Sequence, residues 1–237
     1  MRIAIAAAME EELWPFRTSY QVETRFHQGK IKIEEVIHQQ NYQLFLVETG
    51  IGKVNAGSAA AILCEQFAPD VIVNTGSAGG FSDQLSVGDV VVGTSFRYSD
   101  VDATGFDYEL GQVPQMPASY DVSQGWLALI EQLPQPASYK RIKGLVVTAD
   151  SFMSNQGQVK QIKEAFPKAL ASDMEGTAIA QVASFYRIPV LNIRGISDIA
   201  GTDAPQAFDA NINLAANHAF EQTQLLIQKA VEENVTN

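Results

Sequence analysis

Apolar residues along the chain fall into two patterns, short unbroken runs and longer stretches in which they recur at helical spacing. Ile3 to Ala8 is an unbroken run and predicts a buried strand; Met9-Glu10-Glu11-Glu12 then opens a short helix whose first turn tolerates acids and whose Pro15 limits its early hydrogen bonding. Phe26 to His38 alternates around Gly29-Lys30 as a hairpin, and Tyr42 to Glu48 is a strand leading through the turn Thr49-Gly50-Ile51-Gly52-Lys53 into a helix, Val54 to Phe67. Val71 to Thr75 reads as a fully buried strand, left by a small-residue loop, Gly76-Ser77-Ala78-Gly79-Gly80, that lets a ligand approach the backbone. Val87-Gly88-Asp89 turns into the strand Val90 to Ser95, and the polar stretch Tyr98 to Pro117 follows, a loop long enough to expect a function for it. Trp126 to Leu133 predicts a helix, Ile142 to Thr148 a strand, Val159 to Phe166 an amphipathic helix, Glu175 to Phe185 a helix, Val190 to Ile196 a strand, and Asp209 to Val231 a closing helix after the loop Gly201 to Phe208. With no repeat, low-complexity tract or linker-like shift in composition, this predicts one α/β domain over residues 1–237.

Composition narrows the partners. The 237 residues are 46% hydrophobic and 18% charged, enough to bury a sizeable core, and the formal charge of -11 repels phosphate backbones and anionic lipid. Nucleic acid and membrane surfaces are therefore not expected partners. The single cysteine, Cys64, lies in an apolar helical pattern and reads as a core residue; His27, His38 and His218 have no ligand spacing, so no metal is assigned. Arg2 followed by the apolar run to Ala8 imitates a signal peptide, but the run is too short and Glu10-Glu11-Glu12 follows at once. A first strand and a cytoplasmic protein are the expectation, and no run approaches transmembrane length.

The densest chemistry lies in Ala171 to Asp198, where Asp173, Glu175, Arg194, Ser197 and Asp198 surround a helix and a strand. A polar cluster at the carboxyl end of a central strand is where open α/β sheets bind ligands. Asp173 and Glu175 also suit a helix start, where the dipole favours negative charge, and that reading stands beside the functional one. Three familiar motifs are excluded. Gly50-Ile51-Gly52-Lys53 lacks the P-loop spacing and is followed by Val54 instead of a hydroxyl residue; Thr75 stands where a nucleophile elbow needs glycine; no G-x-G-x-x-G occurs at Gly76 to Gly80.

Asp173-Met174-Glu175-Gly176, Arg194-Gly195-Ile196-Ser197-Asp198, Ala8-Met9-Glu10-Glu11-Glu12 and Asn74-Thr75-Gly76-Ser77-Ala78-Gly79-Gly80, in their order and separation, resemble the bacterial 5′-methylthioadenosine/S-adenosylhomocysteine nucleosidases of the nucleoside phosphorylase superfamily. The resemblance covers nearly the whole chain. It implies a three-layer α/β/α domain around a mixed, twisted central sheet, no cofactor, a small nucleoside as substrate, and a homodimer. It further implies Asp198 as the acid that protonates adenine N7, Glu12 as the base that activates water, Glu175 as the ligand of the ribose hydroxyls, and Arg194 as the group that fixes the water and Glu12. Met9, Ile51, Ser77, Ala78, Phe152, Met153, Met174, Ser197 and Phe208 would line the substrate pocket, with Phe152 stacked on the purine and Ser197 steadying Asp198. Ala103, Phe106 and Pro114 would cap the partner subunit's site, Ala103 departing from the bulkier residue the family carries. Burial should raise the pKa of an acid at Asp198. A phosphorylase of the same superfamily would need phosphate ligands where this chain has Glu10 to Glu12, and a non-catalytic nucleoside-binding protein would lack an acid or base.

Overall fold

The computed structural model describes residues 1–39, 41–81, 83–201, 203–233 and 235. Its strands are β1 (Arg2–Ala7), β2 (Val22–Gln28), β3 (Ile31–Val36), β4 (Gln43–Glu48), β5 (Val71–Gly80), β6 (Val90–Tyr98), β7 (Tyr120–Asp121), β8 (Arg141–Thr148), β9 (Ala169–Asp173) and β10 (Val190–Ile199). The helices are α1 (Glu10–Ser19), α2 (Lys53–Phe67), α3 (Gln124–Gln132), α4 (Gln156–Ala165), α5 (Gly176–Phe185) and α6 (Ala204–Glu232).

All strands share one mixed sheet. β1 runs parallel between β4 and β5, and β3 and β2 extend that side as an antiparallel meander through the Gly29 turn. The other side curls. β5 pairs with β10, β10 with β6, β6 with β8, β8 with β9, and β9 returns to β5, so five strands close a ring. Helices cover both faces: α6 packs on β5 and β10 with α1 against it, and α5 packs on β6 and β8 with α2 against it. The alternation of side chains along a strand separates the faces. Thr75 of β5 meets Thr223 of α6 at 3.3 Å, whereas Asn192 of β10, level with the preceding residue Asn74, points at Asp173 on the α5 side. Close helix packing depends on Gly195, since a Cβ there would lie 2.1 Å from the Ala215 carbonyl oxygen of α6.

Several boundaries differ from the sequence expectation. Gly76 to Gly80 is not a loop but the second half of β5, because β10 pairs with it as far as Gly80; β10 likewise runs past the expected end at Ile196 to Ile199, with a bulge between Ile196 and Asp198, so Ser197 and Asp198 lie inside it. Short apolar side chains hide strand character when the partner strand supplies the packing. The small-residue strand β9 was not expected for the same reason. Helix α6 begins at Ala204, with Pro205 in its first turn where a missing N–H costs nothing, so Phe208 is helical. His38 lies past the end of β3 with φ 68.

Helix α2 starts without a side-chain cap of its own. Carboxylates from distant segments supply one: Gly52 N donates to Glu175 Oε1 at 3.0 Å and Lys53 N to Asp150 Oδ1 at 2.7 Å, while Lys53 Nζ and Asp150 N both donate to Asp100 Oδ2. Three segments around one end of the sheet are thereby clasped. Asp150→Ala should remove about 1 kcal/mol, the usual worth of a cap, and lower the melting temperature by about 2–4 °C in a thermal scan. A variant as stable as the parent would mean that water replaces the cap at no cost.

Candidate active site

The clasped end of the sheet holds a cavity of about 390 Å³. Its floor follows from the strand pairing: β1 leaves β5 after Asn74, and β9 joins β5 only at Gly79. In the gap between them the Ser77 N–H turns to Glu12, donating to Oε1 at 2.7 Å, and the Ser77 hydroxyl donates to the same oxygen at 2.9 Å. Glu12 Oε2 accepts from Ala8 N at 2.9 Å and Met9 N at 3.2 Å, the latter being half of a capping box at the start of α1. Glu12 is 2% exposed and gripped by four donors. Gly76, at φ 131, makes room for it, since a Cβ there would lie 2.3 Å from Oε1.

On β10 the bulge at Ser197 turns Asp198 to the cavity. The Ser197 hydroxyl donates to Asp198 Oδ1 at 2.8 Å, and Gly79 keeps space beside Oδ2, where a Cβ would come to 3.2 Å. Phe152 and Phe208 meet edge-to-face with centroids 5.8 Å apart at the cavity wall. Met9, Ile51, Ala78, Met153, Met174 and Glu175 complete the part of the lining that sequence had suggested. Ser151, Ser172, Pro205 and Asp209, which it had not, sit beside residues it had named. Ala103, Phe106 and Pro114 do not reach this cavity, and Phe106 is 81% exposed.

Arg194 is placed differently from the sequence expectation. It lies behind the wall, 1% exposed, with Nε on Asn192 Oδ1, Nη1 on the Thr75 and Ser77 carbonyls, and Nη2 on Asp173 Oδ2 at 3.1 Å and Glu175 Oε2 at 3.5 Å. Four of these contacts are hydrogen bonds and the one to Asp173 is an ion pair. Arg194 thus holds the Ser77 backbone and the acids of β9 and α5 directly, and acts on Glu12 through charge, without a hydrogen bond to it among the described residues. The supporting polar residues, Thr148 and Asn192, were missed by sequence reasoning; the available signal was a polar residue directly after the apolar run Leu145-Val146-Val147 and another within Val190 to Ile193.

The whole chain matches known proteins. Residues 2–232 fit the family model of the phosphorylase superfamily. A 5′-methylthioadenosine/S-adenosylhomocysteine nucleosidase of Bacillus thuringiensis is 41% identical, the match covering 98% of this chain and 99% of that protein. This chain belongs to the 5′-methylthioadenosine/S-adenosylhomocysteine nucleosidase family. Among solved structures, the family's enzyme from Colwellia psychrerythraea in complex with adenine superposes with a TM-score of 0.92 at 36% identity over 97% of this chain and 95% of that one. The Streptococcus pneumoniae enzyme with a transition-state inhibitor gives 0.91 at 35% identity over 97% and 99%.

In this member of the family the two cavity acids with raised pKa, Asp198 and Glu175, have different partners. Burial raises the pKa of Asp198, and the Ser197 hydroxyl offsets part of that rise. Burial also pushes Glu175 up to about 7, opposed by Arg194 and by the Gly52 N–H and reinforced by Asp173 and Glu12. A carboxyl whose pKa rises on folding stabilises the fold below its ordinary range and loses that contribution as pH climbs through the folded value, here about 7. The parent should therefore lose melting temperature between pH 4.5 and about pH 7, the span of the Glu175 shift, and Glu175→Gln should flatten that slope. An identical slope in the two proteins would show that Glu175 does not titrate there. Among the described residues no group of acids, histidines and cysteine is placed to hold a metal, and no helix is long and apolar enough to cross a membrane.

Proposed function

We propose that this protein hydrolyses the N-glycosidic bond of 5′-methylthioadenosine and S-adenosylhomocysteine, and of 5′-deoxyadenosine, releasing adenine and the corresponding 5-substituted ribose. The observation that carries this reading is the pair of carboxyls in contrasting surroundings on one cavity: Glu12, gripped by donors, and Asp198, buried with one hydroxyl partner. Glycoside cleavage uses such a pair, one as acid and one as base. Asp198 gives its proton to adenine N7, so the N9–C1′ electron pair leaves with a neutral base. Glu12 removes a proton from the water whose oxygen bonds to C1′. Glu175 accepts hydrogen bonds from the ribose hydroxyls, Phe152 lies against the purine, and Met9, Met174 and Phe208 enclose the thioether. Arg194 holds the framework of these groups. A carboxylate at Glu12 repels phosphate, which favours water as nucleophile.

Incubating the protein with methylthioadenosine, with and without phosphate, and identifying the sugar tests this. Free 5-methylthioribose at equal rates supports hydrolysis; a sugar 1-phosphate or a phosphate requirement overturns it. Glu175→Gln should lower turnover more than it raises KM, because hydrogen bonds from the hydroxyls strengthen as the ribose becomes cationic, and only interactions tighter in the transition state raise turnover. A rise in KM alone would leave Glu175 a plain binding residue.

A homodimer fits the exposed Phe106 and the stretch carrying Ala103 and Pro114, none of which lines the substrate cavity of its own protomer. Large apolar side chains left together on a surface favour a partner. Light scattering should give twice the chain mass, and Phe106→Ser should raise KM for thioether substrates. A fully active monomer would rule out the shared site.

A further inference from the structure

Asp173 is 6% exposed, and the sequence reading placed it among the chemistry-bearing acids, with a helix start as the other reading, but gave it no role of its own. Its Oδ1 takes the Thr148 hydroxyl at 2.6 Å and Gly176 N at 3.1 Å; its Oδ2 takes Asn192 Nδ2 at 2.9 Å and Arg194 Nη2 at 3.1 Å. The direction of each bond is determined by the next one out. Thr148 Oγ1 accepts from both the Thr177 N–H and the Thr177 hydroxyl, so the Thr148 hydroxyl turns its own proton to Asp173. Asn192 Oδ1 accepts from Arg194 Nε, so its NH₂ faces Asp173. Both Asp173 oxygens thus face donors, and neither has an acceptor beside it. Glu175 is bound more loosely: Oε1 accepts from Gly52 N at 3.0 Å, and Oε2 reaches Arg194 only at 3.5 Å. One guanidinium thus serves two carboxylates and lies closer to Asp173.

We propose that Asp173 is a positioning residue that sets the charge of Glu175: by holding Arg194 and neutralising it, Asp173 leaves Glu175 as the carboxyl of this cluster that takes up and releases a proton at the ribose. The proposal rests on reading Glu175 as the ligand of the ribose hydroxyls. The groups facing Glu175 are Arg194 from β10, Asp173 from β9, Glu12 from α1 and the Gly52 N–H at the start of α2, so two acids and one cation surround it. Burial favours the protonated form in the empty cavity. Substrate hydroxyls favour the ionised form, so Glu175 gives its proton to solvent water as the substrate binds, before the glycosidic bond breaks, and meets the cationic ribose as the carboxylate.

Carboxyl-carbon NMR of the substrate-free protein labelled at glutamate Cδ tests this, with Glu175→Gln assigning the resonance. A midpoint about 7 is expected in the parent, falling by about one pH unit or more in Asp173→Asn, where Arg194 is released to Glu175. It should return close to the parent in Asp173→Glu, which keeps the charge. An unmoved or higher midpoint in Asp173→Asn, or the same shift in both variants, overturns the proposal. Should Asp173→Asn fail to fold, two parental amides decide: Gly52 N–H, bonded to Glu175, shifts with the Glu175 midpoint while Gly176 N–H, bonded to Asp173, stays still. A larger shift at Gly176 puts the proton on Asp173 and overturns it. The acid limb of kcat/KM should move with the NMR midpoint. Because the titration contains no substrate, its failure is distinct from failure of the proposed activity, which would appear as absence of adenine release.

Discussion

Asp198→Asn should lower methylthioadenosine hydrolysis by about 10²–10⁴-fold, the usual worth of general acid catalysis, and largely spare a nitrophenyl 5-methylthioriboside. Adenine is a poor leaving group unless N7 is protonated, whereas nitrophenolate departs as an anion and needs no acid. Two features of the site make the comparison sharp. Burial keeps the Asp198 carboxyl protonated at higher pH than an ordinary aspartate, and the Ser197 hydroxyl holds a single one of its oxygens. Glu12→Gln should impair both substrates, since each still requires an activated water. The two variants are to be compared by circular dichroism first, because each side chain is buried. Equal losses on both substrates for a folded Asp198→Asn would remove the acid role and reverse the division of labour between the carboxyls.

Gly76→Ala should abolish most activity on both substrates although it adds only a methyl group. The new Cβ would stand 2.3 Å from Glu12 Oε1 and 2.5 Å from its carboxyl carbon, at a φ of 131 that side-chain-bearing residues rarely adopt. Glu12 cannot retreat without giving up the Ala8, Met9 and Ser77 donors that aim it. A displacement of about 1 Å in a catalytic group costs on the order of 10²-fold, and the backbone strain adds roughly 1–3 kcal/mol against folding. Steady-state rates together with a thermal scan would read both effects. Gly57→Ala is the control: its Cβ would only touch Val182 at 3.6 Å on helix α2, so activity should hold and stability rise by about 0.5–1 kcal/mol. Parental rates in Gly76→Ala would show that Glu12 is not held where the fold places it.

Periodicity alone located the strands with large apolar side chains, β1, β4, β6 and β8, and most of the helix α5, because burial on both faces of a sheet leaves an unbroken apolar run. The acids Glu12, Glu175 and Asp198 were legible as well, since motifs near strand ends and helix starts survive without knowledge of the path between them. Three things were not legible. The ring closed by β5, β10, β6, β8 and β9 depends on pairings between residues far apart in the chain, and the weakly apolar β9 carries no run to announce it. The gap between β1 and β9 along β5, which frees the Ser77 N–H for Glu12, exists only once that ring is formed. Arg194 read as a partner of Glu12, yet the sheet turns it to Asp173, Glu175 and two carbonyls, because β10 alternates its side chains and Arg194 shares the face of Asn192. Which acids this protein carries was therefore determined by sequence; which of them is gripped, paired or left to titrate was decided by long-range strand pairing, because hydrogen-bond donors and burial are properties of neighbours in space.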